Sequence, residues 1–204
     1  MKYRSVFLTS AMIFVAMLTL SGCAGTSKPS KFYLLLTLPE AEGLVQLTVD
    51  PAAPSVLVGP ITLAAYLDRD QIVRRAGKNE LTIDEFTRWG EPLQANFYRV
   101  LIDNLSVLLS TPEIYNFSQR DVTPTDFQVI IDVLRFDSAV NGDAYMTAFW
   151  TVMGEDGQTI LLNKKSVFQV PPTSGNVAGL VEAQNGVLTE FSREIAAAIR
   201  SLKS

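Results

Sequence analysis

The chain has 204 residues, 48% of them hydrophobic, with 17 basic and 21 acidic side chains and a formal net charge of −4. That length suits one domain with a real core, and the acidic balance argues against a nucleic-acid partner, whose phosphates ask for a basic face, and against a polybasic clamp on anionic lipid heads. There is no histidine and one cysteine, which removes the commonest general base, any disulfide within the chain and any His/Cys metal cluster. No enzyme activity, no metal and no cofactor are expected.

In chain order, Lys2 and Arg4 come first, followed by an uncharged, almost wholly apolar run from Val6 to Leu20 and then small residues. That is the layout of a secretory signal. The run spans about 15 residues, short of the ~20 that cross a bilayer. The lone thiol, Cys23, follows at once, and Leu20-Ser21-Gly22-Cys23 resembles the bacterial lipobox. The resemblance implies cleavage between Gly22 and Cys23 and lipidation of Cys23. Each buried methylene contributes about 0.8 kcal/mol, so several acyl chains hold a protein durably on its membrane. Ala24 stands where an aspartate would imply retention in the inner membrane, which favours the outer membrane. Residues 24–31, AGTSKPSK, have the composition of a flexible tether. Removal of residues 1–22, which carry two bases and no acid, leaves 182 residues and takes the charge from −4 to −6. The expected division is a signal over 1–22, a lipidated tether over 23–31 and one domain over 32–204.

Within that domain KFYLLLTL (31–38) predicts a strand, 39–54 a linker, and SVLVGPITL (55–63) a buried strand interrupted at Gly59-Pro60. Residues 71–86 predict a hairpin turning at Gly77-Lys78-Asn79. The segment 91–109 predicts a helix with Pro92 in its first turn and Glu91 at its positive end. Leu93, Phe97, Val100, Leu101, Leu105 and Leu108 fall on one face of it. Strands at 127–137, 144–153 and 159–170, joined by turns at 141–143 and 155–157, predict an antiparallel meander. Pro171-Pro172 ends it, and a helix over about 177–202 presents Leu180, Val187, Leu188, Phe191, Ile195 and Ile199 at helical spacing. The fold class is α+β, a single domain with a mainly antiparallel sheet covered by two helices.

One stretch is unusually polar for a plain core. VGPITLAAYLDRDQIVRR (58–75) sets Tyr66, Arg69, Gln71, Arg74 and Arg75 in an apolar frame. Its arginines could pair with Asp68, Asp70 or Glu80 on the surface at little energetic gain, or they could form a binding face. This stretch, Arg88-Trp89-x-Glu91-Pro92 and FQVIIDVLRFD (127–137) together resemble the ABC-type transport auxiliary lipoproteins, the PqiC-like proteins that accompany MCE-domain lipid transporters. The likeness covers roughly residues 30–202. It implies an outer-membrane lipoprotein on the periplasmic face, a non-enzymatic docking component of a system powered by an inner-membrane ATPase. Its partners would be a periplasm-spanning MCE-domain protein, the outer membrane and sister copies of the chain. Tyr66, Arg69, Gln71 and Arg74, with Trp89 nearby, are the expected contact surface, since arginine and aromatic residues dominate interfaces. Two other readings remain: a periplasmic lipid-binding carrier, and an accessory lipoprotein of an outer-membrane assembly or secretion machine.

Overall fold

Strands long enough to bury one face alternate in and out, and that alternation organises this chain. The computed structural model describes residues 28–38, 43, 48–119 and 124–203. The signal segment, the Gly22–Cys23 cleavage pair, the first part of the tether and most of the 39–47 stretch lie outside the described residues. The elements are β1 (Lys31–Tyr33), β2 (Val56–Leu63), a 3-10 turn (Ala65–Leu67), β3 (Gln71–Arg75), β4 (Leu81–Trp89), α1 (Leu93–Leu109), β5 (Ile114–Asn116), a second 3-10 turn (Phe117–Gln119), β6 (Phe127–Ser138), β7 (Ala144–Met153), β8 (Ile160–Val170) and α2 (Val177–Lys203).

The meander forms as expected, with β6–β7 and β7–β8 antiparallel along nearly their full lengths. So does the β3–β4 hairpin, closed by the Ala76 N–H donating to the Glu80 carbonyl at 3.0 Å. The fold is α+β with two helices on one sheet, as expected, and most of its paired residues are antiparallel, but the sheet is mixed and not strictly antiparallel. β1 runs parallel to β4, β2 parallel to both β5 and β6, and β3 parallel to β6 at Arg74 and Ser138. Parallel neighbours need a crossover. The hairpin and α1, inserted between β2 and β5, supply it by returning the chain to the end where β2 began.

The 31–38 run also differs from its expected form. Only Lys31–Tyr33 join the sheet; Leu34–Leu38 continue as a strap held by helix asparagines. Asn96 accepts from the Leu35 N–H at 2.7 Å and Asn104 from the Leu38 N–H at 2.7 Å, both on α1, while Asn185 on α2 accepts from the Leu36 N–H at 3.1 Å. Buried backbone donors need partners, and these amides substitute for a neighbouring strand. Leu35 and Leu38 are buried as a result, while Leu34 and Leu36 face out.

Both helices cover one face of the sheet. Phe97 on α1 meets Phe136 edge-on at 5.6 Å, and Phe191 on α2 meets Trp150 at 6.1 Å. All four rings are essentially excluded from water, each contributing about 1.5–3 kcal/mol by burial. In β2 the Gly59–Pro60 bond is cis and the pairing with β6 shifts register between Val58 and Ile61. Gly59, at φ 113°, has no room for a side chain: a Cβ would fall 2.0 Å from the Tyr98 hydroxyl, which accepts from the Ile61 N–H at 3.1 Å. Among the described residues no helix lies on the opposite face, where Leu134, Phe149 and Val167 are exposed.

Candidate functional site

On that uncovered face the sheet builds a charged centre from three separate elements. β6 carries a bulge: the register with β7 shifts between Val133 and Arg135. Bulges re-aim the side chains that follow them, and here Arg135 and Asp137 both emerge on the uncovered side. Asp137 is fully buried. Its Oδ2 accepts from the Tyr66 hydroxyl at 2.8 Å and from Arg75 Nε at 2.9 Å, and its Oδ1 accepts from Arg135 Nε at 2.8 Å. The Arg75 guanidinium lies 5.9 Å from the Tyr66 ring centre, and that of Arg135 lies 4.1 Å from the Tyr145 ring centre. One carboxylate thus satisfies two guanidiniums and a phenol, the arrangement a buried charge requires.

The electrostatics follow. Burial, reinforced by the Asp137 charge, pushes ionisation of the Tyr66 hydroxyl up to about 12. Burial works against the Arg75 charge, but Asp137 more than offsets it and the guanidinium holds its proton above its ordinary value. Tyr98, beneath β2, is raised by burial as well.

The residues expected as a contact surface are distributed over three settings. Tyr66 belongs to the charged centre. Arg69 is exposed, donates from Nε to the Tyr66 carbonyl at 3.0 Å, and lines a groove of about 510 Å³ with Asp68, Asp70, Pro92 and Gln94. Gln71 is half-buried and donates to Glu85 Oε2 at 3.0 Å, the oxygen that also receives Arg88 at 3.3 Å. Arg74, half-buried, stands opposite Thr82 of β4 and Ser138 of β6. Trp89 is only 5% exposed and belongs to the core, opposite Tyr33 of β1. Asp70 approaches Arg88 at 3.9 Å, while Arg75 takes the buried Asp137. Sequence reasoning missed Arg135, Asp137 and Tyr145. A signal for the first two was present: in LRFD two opposite charges sit two residues apart, hence on one face of an apolar strand. Among the described residues no group of three or more acidic, histidine or cysteine side chains could hold a metal ion.

Residues 36–196 match the model of the ABC-type transport auxiliary lipoprotein component. The chain belongs to that family. The matched span of this ABC-type transport auxiliary lipoprotein includes Tyr66, Arg75, Arg135, Asp137 and Tyr145, and it begins after Cys23 and β1. Two solved structures share its fold. An uncharacterized protein is 17% identical, with a TM-score of 0.68 over 84% of this chain and 99% of its own. The Xanthomonas campestris protein XCC0632, of family DUF330, is 18% identical, with a TM-score of 0.65 over 82% of this chain and 93% of its own. At such identities the likeness is one of fold. No curated protein sequence matches the chain.

Proposed function

We propose that this auxiliary lipoprotein is anchored to the outer membrane through Cys23 and docks a periplasm-spanning MCE-domain protein of an ABC transport system that moves lipids between the two membranes. The family match over residues 36–196 carries the reading. The Leu20-Ser21-Gly22-Cys23 tetrapeptide, the apolar run before it and Ala24 after it support the anchor and its destination. The chain serves as a connector without catalysis, consistent with a family of auxiliary components. A docking role is favoured over a lipid carrier by the interior: the space between helices and sheet is filled by the edge-on pairs Phe97–Phe136 and Trp150–Phe191, all four rings buried. An acyl chain housed there would have to displace close-packed rings. The exposed Arg69, beside its groove, and the half-buried Gln71 form the proposed docking face.

The test has two parts. Cys23→Ala should remove the protein from the outer-membrane fraction, and normal fractionation of that variant would refute the anchor. The wild-type lipoprotein should co-purify with the MCE-domain protein of its own system, and Arg69→Ala should weaken that association at unchanged melting temperature. Absence of any association in the wild type would refute the docking role.

A further inference from the structure

We infer that the uncovered end of the sheet holds a binding site for a phosphoryl oxyanion, built from the guanidiniums of Arg75 and Arg135 and the ammonium of Lys78. The three cations line a groove of about 610 Å³, with Val140 and Tyr145 completing its walls and no carboxylate in its lining. Asp137 lies beneath and neutralises one of them, so the lining and Asp137 together carry about +2 in a chain whose net charge is −4. Two carboxylates stand beside the lining: Asp143 accepts from Asn141 at 2.8 Å and Gln169 at 2.6 Å, and the exposed Glu80 shares the hairpin turn with Gly77 and Lys78.

The donors are fixed before any ligand arrives. Asp137 takes only the Nε of each arginine, and Tyr145 lies against the Arg135 guanidinium. Arg75 spends Nη1 on the Lys78 carbonyl at 3.3 Å. The terminal nitrogens of Arg135 have no acceptor among the described residues, and 27% of its side-chain surface remains in water. An arginine fork locked by its inner nitrogen and open at its outer ones is pre-organised for a planar or tetrahedral oxyanion. A carboxylate has two oxygens and is satisfied by one fork. Three cations converging from two strands and a turn match the three terminal oxygens of a phosphoryl group better.

The surroundings extend the match to an amphiphile. Val140 in the groove lining is 71% exposed, and Leu81, paired with Arg75 across the hairpin, is 37% exposed. β1 begins at Lys31 opposite Thr87 and runs parallel to β4, and Lys28 and Pro29 lie beside Asp84 and Phe86. The chain before β1 therefore leaves the domain toward the Gly77–Asn79 turn, the end where the groove opens. With Cys23 in a bilayer, Lys28 and this end of the domain lie within a few residues of the headgroups; that last step rests on the proposed anchor, whereas the phosphoryl site does not. Its ligand is either free phosphate or the phosphomonoester head of a phosphatidic acid.

The lipoprotein purified in dodecyl maltoside would be titrated calorimetrically with inorganic phosphate and, separately, with dihexanoylphosphatidic acid, whose monoester keeps three terminal oxygens. Saturable binding is expected in at least one arm: phosphate alone identifies a free oxyanion, the lipid alone a headgroup, and both a site that reads the phosphoryl group itself. Arg135→Gln should weaken binding about tenfold, equivalent to about 1.4 kcal/mol. Lys78→Ala, at an exposed turn where the substitution keeps the backbone carbonyl that receives Arg75, should weaken it severalfold with the fold intact, and Arg99→Ala should leave it unchanged. No saturable binding in either arm would overturn the site. So would equal affinity in wild type, Arg135→Gln and Lys78→Ala, or acetate binding as tightly as phosphate.

Discussion

The two faces of one sheet are stabilised by different physics. Under the helices, Ala144, Met146, Ala148, Trp150 and Val152 of β7 point inward and every one is buried. On the other side of the same strand Tyr145 stacks on a guanidinium and Phe149 lies 45% exposed beside Lys165. The covered face is held by area removed from water and by shape. The uncovered face is held at one end by a single carboxylate with three donors. The first arrangement tolerates exchange of apolar groups of similar volume; the second depends on each member being present, because removing one leaves its partners uncompensated.

Substitutions on the two faces sharpen this contrast. The largest loss is expected on the covered face: Phe97→Ala or Phe191→Ala should each cost about 3–5 kcal/mol, read as a lower urea midpoint and lost abundance in a domain with roughly 5–15 kcal/mol of margin. Next comes Asp137→Ala, which leaves Arg75 and Arg135 facing each other without a counter-ion. It should cost about 2–3 kcal/mol, less than a fully buried pair would lose, because both guanidiniums keep about a quarter of their surface in water. A loss below that of an ordinary surface substitution would remove the carboxylate from its structural role. The strap gives a third value. Asn104→Ala strips the acceptor from the buried Leu38 N–H and a donor from Ser192, at an expected cost of about 1–2 kcal/mol, with faster hydrogen exchange at the Leu38 amide.

The uncovered face should also show itself in alkali. Tyr66 holds its proton up to about 12 in the folded chain against 10.0 ordinarily. Between those values the folded state binds more protons than the unfolded one, so stability is full below pH 10 and falls as pH rises toward 12. Tyr66→Phe should flatten that fall when urea midpoints at pH 9 and pH 11 are compared with wild type; an unchanged slope would assign the alkaline loss to other groups. The smallest effect belongs to Arg69→Ala. This exposed side chain outside the Asp137 centre should change stability by less than about 0.5 kcal/mol, so any larger loss of partner binding in that variant reports on contact and not on folding.

Much of the covered face was legible in the residues. The meander, the β3–β4 hairpin and both helices rest on short-range patterns: alternation, turn residues and a repeat near 3.6. Leu180, Val187, Leu188, Phe191, Ile195 and Ile199 are all buried, as their spacing on α2 predicts. The candidate site was legible only in part. Tyr66 stood out as an aromatic with a polar tip in a run of arginines, but its partner Asp137 lies 71 positions away and reads locally as the end of a strand. Trp89 has the composition of an interface residue, and yet the parallel approach of β1 buries it.

The residues alone determined that this chain has one apolar layer to bury, where its helices and its longest strands lie, and that its single cysteine follows a signal-like run. Tertiary structure decided which strands are neighbours, because parallel pairing is made across crossovers that leave no local mark. That choice turned Leu34–Leu38 from an apparent strand into a strap on the asparagines of α1 and α2. It also brought Arg75 of β3 against Asp137 of β6, 62 positions apart, so that charges scattered along the sequence share one site.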